Sequence, residues 1–218
     1  MNRRKFLTKA GQLSAGTLLL GAGLNASAQS RRVVMLEGVR TKVVDIHAHC
    51  DILEVVPLLE GTSMAGANIN RPLGPEWLAK MDERGIDVAA ISTNRFWWYE
   101  AEPKLARQIV KLQDDKIAEW CNANAERCVH LSSPALQFPE LAAEQLEYAV
   151  KELGAKGASV LGHARGEPIS TEKYDLFWAK AEELDVPVFM HPDGSKNIIQ
   201  PGAFDGPGGM GNIMGNPL

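Results

Sequence analysis

Val43-Val44-Asp45-Ile46-His47-Ala48-His49 is the stretch on which the fold turns. Its first four residues make a compact β-branched run, which predicts a strand buried on both faces, as parallel strands covered by helices are. Two-residue alternation sends Asp45, His47 and His49 to one side of that strand, at its C-terminal end. Two imidazoles on one face form a bidentate clamp for a divalent cation, and neutral ring nitrogens suit zinc and its neighbours in the transition series.

Downstream the chain alternates. Residues 61–75 carry Gly, Asn, Pro and Ser at loop density, and Pro75-Glu76 opens a helix expected over 75–84. Strands are expected at 88–91, 128–131, 158–161 and 186–190, separated by helices at 103–125, 139–153 and 175–184. Five strands alternating with helices imply a parallel sheet with right-handed crossovers. No glycine-rich phosphate turn follows the first strand, which argues against a doubly wound sheet and for a barrel, whose chemistry gathers at strand C-terminal ends. The expected class is α/β: a (β/α)8 TIM barrel of the metal-dependent hydrolase type, with about five of the eight βα units present. His191 ends the fifth strand in Phe189-Met190-His191-Pro192, so a closing barrel carries it to the rim that holds His47 and His49.

At this point the sequence resembles amidohydrolase family 2, the proteins like aminocarboxymuconate semialdehyde decarboxylase and related aromatic-acid decarboxylases. The marks are Asp45-Ile46-His47-Ala48-His49, the segments 81–87 (Met-Asp-Glu-Arg-Gly-Ile-Asp) and 152–157 (Glu-Leu-Gly-Ala-Lys-Gly), and His191-Pro192. The resemblance implies that His47, His49 and His191 are metal ligands and that the metal is zinc. It implies a metal that polarises a substrate or activates water, in enzymes that decarboxylate an aromatic or enol-type acid or hydrolyse one. The family's aspartate ligand after the eighth strand and its general acid/base histidine after the sixth have no matching position here. The catalytic residues are therefore unassigned, and the chain by itself is expected to be impaired.

Candidate substrate contacts come from the loops of the same rim. Trp98, within the aromatic run 96–99, could stack a flat substrate, and loop packing is the equal alternative. Arg71 offers a forked pair of donors to a carboxylate, against a plain solvated charge. His163 and Arg165 follow the fourth strand. His130, inside a strand, reads as a paired core histidine, and Cys121 and Cys128 as buried thiols.

The first 28 residues differ from the rest. Arg3, Arg4, Lys5 and Lys9 stand there with no acid, a weakly apolar stretch follows at 10–24, and Ala26-Ser27-Ala28 supplies a small-residue cleavage pattern. Arg3-Arg4-Lys5-Phe6-Leu7 resembles a twin-arginine export signal, which implies the Tat translocase as a partner and a periplasmic location. Residues 10–24 are too short and too polar for a membrane span of about 20 residues. The organisation expected is a signal at 1–28, a linker at 29–42 and the N-terminal part of a barrel at 43–218. The whole chain carries a formal charge of -4 with 45% hydrophobic residues, so no basic surplus asks for nucleic acid.

A barrel takes about 250 residues. With five strands, the first and fifth are expected to leave open edges, so the chain is expected to be poorly soluble or to need a partner, self-association into a homo-oligomer included. Two other readings stand beside the decarboxylase. A barrel phosphoesterase would bring more acidic ligands and basic phosphate loops, which are not evident, and the non-catalytic alternative is an interrupted product or an interaction module.

Overall fold

The computed structural model describes residues 31–93 and 97–191. The expected signal at 1–28, the glycine-rich stretch 194–218, Phe96 and Pro192 lie outside the described residues.

Within the span expected as a linker, β1 (Met35–Leu36) and β2 (Val39–Arg40) form an antiparallel hairpin. Its turn residues, Glu37 and Gly38, have φ of 50° and 81°, the paired positive values that a two-residue hairpin turn requires. Behind it run β3 (Val44–His49), β4 (Val88–Ser92), β5 (Cys128–His130) and β6 (Ala158–Leu161), then a small hairpin of β7 (His163–Ala164) and β8 (Glu167–Pro168), and finally β9 (Val188–His191). The helices are α1 (Val56–Leu59), α2 (Pro75–Arg84), α3 (Pro103–Ala123), α4 (Pro139–Lys151) and α5 (Asp175–Glu183).

Five of the strands are parallel and neighbour one another in chain order. β3 pairs with β4, β4 with β5, and β6 with β9, while a bridge between Ser132 and Ala158 joins the two groups. An order without reversal lacks the switch point of a doubly wound sheet and is the succession found around a barrel.

The first barrel strand departs from expectation in two ways. Val44 and Ile46 are more than half exposed rather than buried. Among the described residues β3 and β9 each have one parallel neighbour, and Met190 on β9 is exposed as well, so both edges carry uncovered apolar surface. The alternation is also broken. Asp45 pairs with Ala89 and Ala48 with Ile91, three steps on β3 against two on β4, which is a β-bulge at Ile46 and His47. Such bulges bend a strand and re-aim its side chains.

The helices follow the sequence closely, because α2, α3 and α4 each start with proline at the first helical position, where a missing N–H costs nothing. On α3 the buried residues Ala106, Ile109, Val110, Ile117 and Cys121 recur at helical spacing against β3–β5. Complete burial of Ile109 or Ile117 contributes about 1.5–3 kcal/mol each. Asp114 lies on the same buried stripe. Its two carboxylate oxygens meet His130 Nε2 at 3.0 Å and the Ser132 hydroxyl, which donates at 2.8 Å, so a buried acid is matched by two partners from the strand beneath. A second core lies under α4 and α5, around Leu146, Val160, Tyr174 and Phe177.

At the opposite end of the strands from the histidines, Asp87 gathers the N-terminal arm. It accepts the Val43 N–H at 2.7 Å, Arg40 at 2.8 Å and the Arg31 guanidinium. The Val43 N–H, followed by the Arg40 and Arg31 charges, holds the Asp87 carboxyl below its usual range. Cys50, Cys121 and Cys128 are buried and unpaired. No helix among the described residues is long and apolar enough to cross a membrane.

Candidate metal centre

Parallel strands present their C-terminal ends on one side, and the histidines use this. β3 contributes His47 and His49, β9 contributes His191, and one nitrogen from each ring lies within 4.8 Å of the others. The His47 and His49 rings stack at 4.7 Å, and His191 meets His47 edge-on at 4.6 Å. The His47 N–H donates to the Asp45 carboxylate at 2.9 Å, which steadies the bulged backbone.

Nε2 of His49 and Nε2 of His191 lie 3.3 Å apart. Two nitrogens bound about 2.0–2.1 Å from one tetrahedral ion are about 3.3–3.4 Å apart, so the pair is spaced as two corners of one coordination shell. An N–H···N bond between neutral rings has a similar length. The donor set, three imidazoles with no thiolate among them, fits a divalent transition-metal cation.

Aromatic rings flank the cluster. Phe189, two residues before His191 on β9, lies 5.4 Å from the His47 ring, and the Trp97 indole lies 5.3 Å from the His191 ring. Trp97 is buried and its Nε1 donates to the Ser159 carbonyl at 2.9 Å. Trp98, singled out by the sequence, goes elsewhere. Its φ of 54° turns it into the core of β3–β5, with its carbonyl accepting from Ala101 N–H and Gln137 Nε2.

The other rim candidates have their own commitments. Arg71 and Asn70 present backbone N–H groups at 2.8 Å to the carboxylate of buried Asp51, with Arg71 Nε 4.0 Å from it. Asp51 was not anticipated, although an acid two residues past His49 was a visible signal. Arg165 has a φ of 52° and donates through Nε to the Tyr99 carbonyl, while the Gly166 N–H faces His163 Nδ1 at 3.4 Å. The Arg165 contact ties the β7–β8 hairpin to the loop after β4. His47, His49 and His191 are brought together, and among the described residues Phe189 and Trp97 are ring neighbours of that cluster.

Comparison with known proteins identifies the family and the fold. The amidohydrolase family model matches residues 44–212, and the chain belongs to that family. The gamma-resorcylate decarboxylase of Rhizobium radiobacter is 34% identical over 123 residues, covering 53% of this chain and 37% of that protein. The 2,6-dihydroxybenzoate decarboxylase from Rhizobium superposes with a TM-score of 0.58 at 26% identity, over 71% of this chain and 51% of that one. The 5-carboxyvanillate decarboxylase from Novosphingobium aromaticivorans, solved with manganese and 4-hydroxy-3-methoxy-5-nitrobenzoic acid, gives a TM-score of 0.67 at 21% identity, over 80% and 56%. The chain spans well under half the length of the curated relative and about half that of the solved structures.

Proposed function

We propose that this chain carries the cation-binding histidines of a carboxy-lyase that releases carbon dioxide from a small aromatic carboxylic acid. The spacing of His49 and His191, with His47 beside them, is the observation that carries the reading. A divalent cation held there supplies Lewis-acid polarisation of a substrate oxygen. His47 and His49 hold it from β3 and His191 from β9. Phe189 and Trp97 offer ring faces to a flat substrate, and Arg71, His163 and Arg165 remain the candidate contacts from the surrounding loops. Zinc is the ion we propose from the all-nitrogen donor set; manganese is the ion bound in the 5-carboxyvanillate decarboxylase. The relatives that decarboxylate aromatic acids favour decarboxylation over hydrolysis.

The test is carbon dioxide release from 2,6-dihydroxybenzoate and 5-carboxyvanillate by protein loaded with zinc or manganese. Slow release is expected, in keeping with the impairment expected of this chain by itself, and it should depend on the cation and disappear in His191→Ala. A full complement of bound cation with no carbon dioxide from either acid rejects the reading.

We further propose that residues 1–28 direct export through the Tat translocase to the periplasm, on the strength of Arg3-Arg4 and Ala26-Ser27-Ala28. Arg3→Lys with Arg4→Lys is expected to leave the precursor in the cytoplasm, whereas the unaltered chain yields a periplasmic product beginning at Gln29. Equal export of both forms rejects it.

A further inference from the structure

We infer that Trp97 is a positioning residue for His191, holding that imidazole where it can share a cation with His49; the inference rests on the cation-binding reading of the cluster. His191 ends β9, where its backbone is in register with Leu161 of β6, and its side chain is only partly buried. Trp97 arrives from the loop after β4 and is 4% exposed. Its indole N–H is bonded at 2.9 Å to the carbonyl of Ser159 on β6. Ser159 is the register partner of Phe189, two residues before His191 on the adjoining strand.

The indole is therefore anchored to one strand and leans on a side chain from the next, at 5.3 Å and 62° to the His191 ring. That is the tilted geometry aromatic pairs favour. His47 meets the His191 ring at 4.6 Å and 87° and His49 meets it at 5.1 Å and 68°, so the anchored indole and the histidine pair all pack on that one ring. Trp97 also lies at the junction between the β3–β5 and β6–β9 groups, where the Ser132–Ala158 bridge is held by backbone hydrogen bonds from Lys156 N–H to His130, Ser132 N–H to Gly157 and Ser159 N–H to Ser132. Groups that orient a ligand histidine typically change metal affinity 10–100-fold when removed, by leaving the ring to find its own angle.

Cobalt(II) is the probe, because its absorption reports coordination geometry as well as occupancy. The unaltered protein is expected to bind one cobalt ion per chain. Trp97→Phe keeps an apolar ring but has no N–H to anchor it; it should bind about 10–100-fold more weakly with an altered visible spectrum, while folding as judged by circular dichroism. Trp97→Tyr, which can donate from its hydroxyl, should recover part of the loss. A folded Trp97→Phe with unchanged affinity and spectrum overturns the inference and leaves the cation site standing. Absence of cobalt from the unaltered protein instead overturns the site reading itself. Should neither variant fold, the unaltered protein labelled with 5-fluorotryptophan decides: of its five tryptophan signals, at least one must vanish at one equivalent of cobalt, and five sharp signals with cobalt bound reject the contact.

Discussion

His49 and His191 bring their Nε2 atoms to 3.3 Å across 142 residues of chain, and the ladder between β6 and β9 is what makes that meeting possible. Leu161 is the register partner of His191, so any displacement of β9 along or away from β6 moves the ring directly. The site is only as well set as that ladder.

Gly157 is where the ladder is most easily broken. It has a φ of 155°, and a Cβ there would stand 2.2 Å from the Pro187 carbonyl oxygen, which itself accepts the Ala158 N–H at 3.1 Å. Gly157→Ala is expected to destabilise the fold by more than about 1 kcal/mol and to weaken cation binding as well. Urea unfolding together with a zinc titration checks both effects. Unchanged stability and affinity would show that β9 does not depend on this close approach.

Asp114 should matter to stability and not to the cation. Asp114→Ala strands the His130 ring and the Ser132 hydroxyl in the core, a loss of about 3 kcal/mol, whereas Ser132→Ala costs about 1 kcal/mol. Combining the two substitutions should cost less than their sum, since they share a partner. Denaturant midpoints for the three variants give the answer, and strict additivity would mean that the network is not coupled.

The clamp at Asp87 predicts an acid limb. Its carboxyl ionises at lower pH folded than unfolded, so its stabilisation is fully present above the ordinary aspartate value of about 3.9 and is lost as pH falls through the depressed folded value. Asp87→Asn should lower stability at neutral pH and flatten the decline below pH 4. Parallel slopes for both proteins would assign the acid sensitivity to other carboxylates.

The placement of most elements was legible in the sequence because proline and glycine mark their ends. Pro75, Pro103 and Pro139 start helices as expected, and Gly85, with a φ of 74°, closes α2. The meeting of His191 with His47 and His49 was legible too, since strand ends and chain order imply it. The bulge at Ile46 and His47 was not, because one extra residue in a ladder leaves no mark in residue type. Nor was the division of Trp97 from Trp98. A positive φ at the second tryptophan sends neighbouring indoles to different cores, and tryptophan does not advertise that conformation as glycine would.

The three thiols offer a test of interior packing. Burial pushes the Cys121 thiol up to about 12 and raises those of Cys50 and Cys128. At pH 8 the folded protein should therefore show no fast reaction with a thiol reagent, and three groups should react once it is denatured. A rapidly modified thiol in the native state would locate an opening beside the Cys50 strand or the α3 terminus.

The chain-order succession of the five parallel strands also sets an assembly schedule. Each βα unit can settle against the one synthesised just before it, so most of the body can form while the chain is still leaving the ribosome. The strand bearing His191 emerges after the other four, so under the cation-binding proposal capture of an ion is a late event.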